Sequence, residues 1–176
     1  IMTKEQDRIL GNVESIFLPH LTRIFEANLA VAMLYGSAVK GTFTDGMSDV
    51  NILVLLQKAD PASVIQLGKK ARSCMRKNRI NPLLLTEEEY LASADVFPLE
   101  YLDIADSRKV IHGDDPTKKL DITRANLRHQ VEAQLRGTIA DLRRALLASS
   151  GRERLLRRHL KEWFGSQNAL LRGLLR

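Results

Sequence analysis

The sequence predicts an α/β (α+β) fold: a small mixed sheet with helices, followed by a C-terminal helical hairpin or partial bundle. Three observations lead there. Two apolar runs, at 31–35 and 52–56, bracket a polar loop punctuated by glycine, which reads as strand, tight turn, strand. Helix-start signals stand before the flanking segments, at Thr3, Asp60-Pro61 and Thr86. From residue 118 onward the apolar residues keep helical spacing alone, so an α/β layer at 1–117 is expected to give way to a helical region at 118–176.

Taken in order, Thr3 with Gln6 forms a capping box, and Ile9, Val13, Ile16 and Phe17 continue as the buried face of a helix. Pro19 interrupts or restarts that helix, with Leu21, Ile24, Phe25 and Leu29 behind it. The strand-turn-strand unit follows. Asp60 as N-cap and proline at the first helical position open the next helix, for which Val64, Ile65, Leu67, Ala71 and Met75 are the expected buried stripe. Cys74 sits within it and reads as a buried structural thiol, because no histidine or acid pairs with it in the sequence.

Residues 80–85 read as a third strand, placed at a sheet edge by Pro82. Thr86 with Glu89 is a second capping box, and Glu87, Glu88 and Glu89 suit the positive end of a helix dipole. Phe97-Pro98 opens another helical stretch with Leu99, Leu102 and Ile104 inward. A short strand at 109–112 then closes on Gly113. Beyond it, Leu127, Val131, Leu135, Ile139, Leu142 and Leu146 form one long stripe, broken at Ser149-Ser150-Gly151. A last helix offers Leu155, Leu156, Leu160, Trp163, Phe164, Leu170, Leu171 and Leu174. Two such helices bury one seam between them, so homo-oligomerisation, or docking of a C-terminal segment beyond Arg176, is expected through this arm.

Composition narrows the class. A 176-residue chain with 44% hydrophobic residues can bury one sizeable core or two small units. No run is long and apolar enough to span a membrane, and the N-terminus lacks a signal-peptide core. With Cys74 as the single cysteine, a cytoplasmic protein is the expectation. The four histidines (His20, His112, His129, His159) are scattered, which argues against a zinc site. Charge is uneven: residues 1–117 hold 13 Lys+Arg against 16 Asp+Glu, and residues 118–176 hold 14 against 5. With 5% aromatic residues and none interleaved with the arginines, a solvated arginine face is favoured over a nucleic-acid surface.

The chemistry concentrates in one segment. Gly36-Ser37 ends the first apolar run, and Ser48-Asp49-Val50-Asn51 leads into the second. Glycine lets the backbone turn sharply and approach a ligand closely, and amides after such a turn form a cradle for phosphate. Asp49 and Asn51, two apart on a strand, leave the same face. An acid and an amide beside a phosphate cradle suit a metal-bound nucleotide.

This segment resembles the signature of the nucleotidyltransferase fold of the DNA polymerase beta superfamily, in its small, minimal type: hydrophobic-Gly-Ser, a spacer, then Asp-hydrophobic-Asp. The chain supplies Gly36-Ser37, eleven intervening residues and Asp49-Val50, with Lys40-Gly41 where small members have Arg-Gly. The matching segment, 36–51, covers about a tenth of the chain. The later order of elements agrees with the small nucleotidyltransferases, including antibiotic-modifying and antitoxin-like ones. The resemblance implies Gly36, Ser37, Lys40 and Ser48 at the nucleotide phosphates, and Asp49 and Asn51 at the catalytic and metal positions, with Mg²⁺ as cofactor.

The departure is at Asn51, where the pattern has a second aspartate, and the strand expected to carry a third acid (80–85) has none. Magnesium favours charged oxygen ligands, which an amide does not provide. Glu100 and Asp103, three apart on one helix face, are candidates to supply a carboxylate from elsewhere. Three readings stay open: a degenerate protein that binds nucleotide or phosphate without efficient transfer, an active Mg²⁺-dependent transferase acting on a small-molecule or protein hydroxyl, and a helical interaction module with a relic α/β domain.

Overall fold

The N-terminal helix meets its proline without breaking. In the computed structural model, which describes residues 3–44 and 48–166, α1 (Lys4–Asn12) runs through a π turn (Val13–Phe17) directly into α2 (Leu18–Phe25). The Thr3 capping box is formed: the Thr3 hydroxyl accepts from the Gln6 amide, and Gln6 Oε1 accepts from the Thr3 amide at 2.7 Å. Pro19 has no N–H to give an intrahelical bond. The widened turn takes up the disturbance, with the Leu18 N–H reaching back five residues to the Val13 carbonyl. Ile9, Val13, Phe17, Leu21 and Phe25 are all buried. Residues four apart drift by about 40° per step on a regular α-helix, and underwinding at the π turn counters that drift. Ile16, expected inward, is off this row and 41% exposed.

After a short 3₁₀ turn the chain forms β1 (Leu29–Tyr35), α3 (Ser37–Lys40), β2 (Val50–Leu56), α4 (Pro61–Lys77), β3 (Ile80–Thr86), α5 (Glu87–Ala92), α6 (Pro98–Asp106) and β4 (Arg108–His112). The strands make one mixed sheet in the order β3-β2-β1-β4. β1 pairs antiparallel with β2, from Leu29 opposite Leu56 to Tyr35 opposite Asn51. The crossover through α4 brings β3 parallel to β2, with Val50 opposite Ile80 and Asn51 opposite Asn81. β4 lies antiparallel on the far side of β1. Pro82 is on the edge strand β3, where a missing donor costs least. Strand β4 ends at Gly113 for a steric reason: its φ is +74°, and a Cβ there would fall 2.0 Å from the Ala30 carbonyl oxygen.

The chain divides into two compact units, Ile1–Ser93 with Ile104–Leu120, and Ala94–Asp103 with Asp121–Arg176. In the first, the α1–α2 row and Leu67 and Ala71 of α4 close over one face of the sheet, against Ala32, Leu34, Ile52, Val54 and Leu56. Val64 and Ile65 do not join that stripe; both are exposed, Ile65 by 58%. In the second, α7 (Arg124–Ser149) and α8 (Glu153–Ser166) are the long helices, and Ser150 in a left-handed conformation ends α7 at the expected break. Leu99 and Val131 are buried together with Leu127 against them. Tyr101 is buried as well as the expected Leu99, whereas Leu102 is half-buried; the expected Ile104 is buried and belongs to the first unit. Farther along α7 the stripe is open: Leu135, Ile139 and Leu146 are exposed, and so is Leu147 by 79%. The expected contribution of Leu170, Leu171 and Leu174 falls outside the described residues. Among the described residues no helix is long and apolar enough to cross a membrane.

Candidate functional site

Gly36 turns the chain out of β1 in a conformation open to few residues but glycine, φ +78° and ψ −145°. Its N–H donates to the Ser107 carbonyl at 3.2 Å, and its carbonyl accepts from Val39 (3.1 Å) and Lys40 (2.9 Å), so α3 begins at once. Gly41, again at positive φ, closes that single turn. A Cβ on Gly36 would meet Asn51 Nδ2 at 3.4 Å. That is an ordinary contact, so glycine is required here by its backbone conformation and not by the closeness of the Asn51 amide. Ser37 is half-buried and Lys40 exposed.

The loop that follows is tied at its neck. The Thr44 amide donates to Ser48 Oγ (3.0 Å), and the Ser48 amide donates to the Thr44 carbonyl (2.9 Å). The Ser48 hydroxyl is therefore engaged in loop closure. Val50 is buried, while Asp49 and Asn51 on either side of it lie on the accessible face. Asn51 stands in the middle of a row across the sheet, opposite Tyr35 on β1 and Asn81 on β3. Asn81 Nδ2 donates to Asn51 Oδ1 at 3.3 Å.

One participant went unread in the sequence. Arg79, in a left-handed conformation (φ +52°) between α4 and β3, accepts from the Val50 amide through its own carbonyl at 2.9 Å. Its side chain turns back on Asp49. Nε donates to the Ser48 carbonyl (3.0 Å) and to Asp49 Oδ1 (3.1 Å), and a terminal guanidinium nitrogen reaches the same Oδ1 at 2.9 Å. The signal that could have found it is the parallel register: with Val50 opposite Ile80, the residues just before the two strands face one another.

The donor set does not fit a two-ion magnesium site. Asp49, Asn51 and Asn81 together offer one charged oxygen group, and a guanidinium already holds it. Among the described residues no three acidic, thiol or imidazole side chains gather where a metal ion could be held. Glu100 is engaged inside the helical unit, accepting from Gln130 Nε2 at 2.5 Å while Gln130 Oε1 accepts from the Leu99 amide at 2.8 Å. Asp103 shares its helix.

No family model matches the sequence, and no curated protein matches it. Solved structures do. A spectinomycin adenyltransferase from Enterococcus faecialis, solved with ATP and spectinomycin, superposes with a TM-score of 0.53 at 18% identity, over 71% of this chain and 64% of its own. The fold is nucleotidyltransferase-like. The chain spans a little under two thirds of that enzyme's length. Two lower-scoring similarities lie with toxin–antitoxin systems. A toxin–antitoxin structure with AMP-PNP gives a TM-score of 0.41 at 19% identity, over 78% of this chain and 96% of the other. The complex of a tri-AMPylated Shewanella oneidensis HEPN toxin with its MNT antitoxin gives 0.43 at 16%, over 76% and 98%.

Proposed function

We propose that this nucleotidyltransferase-like chain binds a nucleotide, or the phosphate of one, at the Gly36-Ser37 turn and does not transfer it efficiently. The carrying observation is the Arg79–Asp49 pair. The carboxylate best suited to a divalent ion is paired with a guanidinium, and its neighbours Asn51 and Asn81 are neutral. Divalent ions clamp the attacking and leaving oxygens in nucleotidyl transfer, and a site with one compensated carboxylate holds them weakly. The turn does not depend on those ions: an abrupt glycine followed by a one-turn helix presents amides to an anion, and Lys40 adds charge beside it. The ATP named for the spectinomycin enzyme supports a nucleotide as the ligand class.

The test is a calorimetric titration with a nonhydrolysable nucleoside triphosphate, with and without Mg²⁺, together with an assay for pyrophosphate release. Binding that depends little on Mg²⁺, with no release, is the expected result. Mg²⁺-dependent transfer of the nucleoside monophosphate from a natural nucleoside triphosphate to a small-molecule or protein hydroxyl, with pyrophosphate released, would instead establish the active transferase. No nucleotide binding at all would leave the helical interaction module as the function. One observation favours a role for the arm beside the site. Leu135, Ile139, Leu146 and Leu147 leave an apolar strip of α7 exposed, which supports self-association through it.

A further inference from the structure

Positive charge gathers between β2 and β3. Six Lys and Arg fall within residues 69–79 and no acid occurs within 61–86, although residues 1–117 as a whole carry more acids than bases. Part of this is ordinary, since Arg76 and Lys77 lie in the last turn of α4, where the helix dipole favours cations. Arg72 and Arg79 have no such reason. Arg72 and Arg76 are four residues apart and share a helix face, and together with Arg79 they line one shallow, open groove that also touches Asp49 and Asn81. Among the described residues neither Arg72 nor Arg76 is paired with a carboxylate.

We propose that this groove binds a phosphate-bearing small molecule, with Arg72 and Arg76 on its oxyanion, beside the Arg79–Asp49 pair. Guanidinium forks match phosphate oxygens two at a time, which a scattered solvated face does not require. Among the described residues no aromatic side chain lines the groove, whereas single-stranded nucleic acid is commonly held by bases stacking on aromatic rings. The groove lies on the β3 side of Asn51, whereas Gly36 abuts Asn51 from the β1 side. On the proposed reading of the Gly36-Ser37 turn, it is a second, anionic ligand site across the Asp49–Asn51 pair from the nucleotide.

Inorganic pyrophosphate, titrated calorimetrically in EDTA, tests this. Saturable binding is expected, at least tenfold weaker in R72A/R76A and intermediate in R72K/R76K, where charge stays but the fork is lost. Both arginines are exposed, so these variants keep the fold. G36V separates the two sites: it should abolish nucleotide binding and keep pyrophosphate binding, so the nucleotide reading and the groove fail independently. If G36V does not fold, the side-chain Nε–H resonances of the wild-type protein decide, with pyrophosphate shifting those of Arg72 and Arg76. Pyrophosphate binding that is absent, or unchanged in R72A/R76A, would overturn the proposal. So would tighter, steeply salt-dependent binding of an RNA oligonucleotide, which would make the face a nucleic-acid surface.

Discussion

Arg79 holds Asp49 through two nitrogens on one carboxylate oxygen, Nε at 3.1 Å and a terminal nitrogen at 2.9 Å. Both side chains are about half exposed, at 40% and 52%, so the pair stabilises the fold by no more than about 1 kcal/mol. Its consequence is electrostatic: it sets a cation beside the carboxylate that the proposed ion site would need.

Restoring the missing charge should therefore need two changes. Asn51→Asp alone adds a carboxylate but leaves Arg79 in place; Asn51→Asp with Arg79→Gln gives two uncompensated acids on one face. Adding a unit charge at contact distance near the surface is worth roughly 1–2 kcal/mol, about tenfold in affinity. Mn²⁺ binding followed by electron paramagnetic resonance, with nucleotide present, should strengthen modestly in N51D and by about tenfold or more in the double variant. The apo double variant should unfold at lower denaturant, because like charges on one strand face repel. Equal Mn²⁺ affinity in all three proteins would mean that Asp49 and Asn51 do not form an ion site.

Two glycines should differ in cost. At Gly36 an added Cβ meets a side-chain nitrogen at 3.4 Å, ordinary contact, so Gly36→Ala carries the strain of φ +78° alone, about 1–2 kcal/mol. At Gly113 the same strain is joined by overlap with the Ala30 backbone oxygen at 2.0 Å, which cannot swing aside. Gly113→Ala should cost about 3 kcal/mol or more. Chemical denaturation of the two variants compares them directly, and equal midpoints would contradict the steric account.

The sequence made the two central strands legible because their runs are almost wholly apolar, and the helix starts legible because Thr3, Asp60 and Thr86 do form caps. It misled where the face was inferred from hydrophobicity alone. Ile65 precedes Leu67 by two residues, about 200° around α4, so it cannot share the buried side. Ile16 fails likewise, one position off the row through Val13 and Phe17. Gly36 and Asn51 were readable as a pair because a short motif holds them. Arg79 was not, since its meeting with Asp49 across thirty residues depends on β3 lying parallel to β2.

Asp115 gives a pH signature remote in sequence from the site residues. Burial tends to raise its carboxyl pKa, but hydrogen bonds from Arg108 and Thr117, with the charge of Arg108, outweigh it and hold the group at about 2, below the usual 3.8. The folded state thus releases this proton more readily than the unfolded chain. The stabilisation is complete above about pH 4 and is lost as pH falls toward 2. Allowing for solvent screening, it amounts to about 1 kcal/mol. Asp115→Asn should be less stable than wild type at pH 6 by about that amount, and urea unfolding curves should converge near pH 2. A constant gap over the whole range would show that the loss comes from the Asp115 hydrogen bonds to Thr117 rather than from charge.

The arm offers the last test. Val131 is buried within its own unit, but Leu135, Ile139, Leu146 and Leu147 are exposed along the same helix. Exposed large side chains gathered on one helix, rather than scattered singly, mark an interaction surface. If a second copy covers them, sedimentation should give a dimer or larger species. Its mass should change little between low and moderate salt, because burial of apolar surface is weakly screened. Ile139→Asp with Leu146→Asp should dissociate it, while leaving the unfolding midpoint of the α/β unit unchanged, since neither residue belongs to that unit's core. A monomer at high concentration, or an assembly indifferent to both substitutions, would remove the arm as the self-association surface.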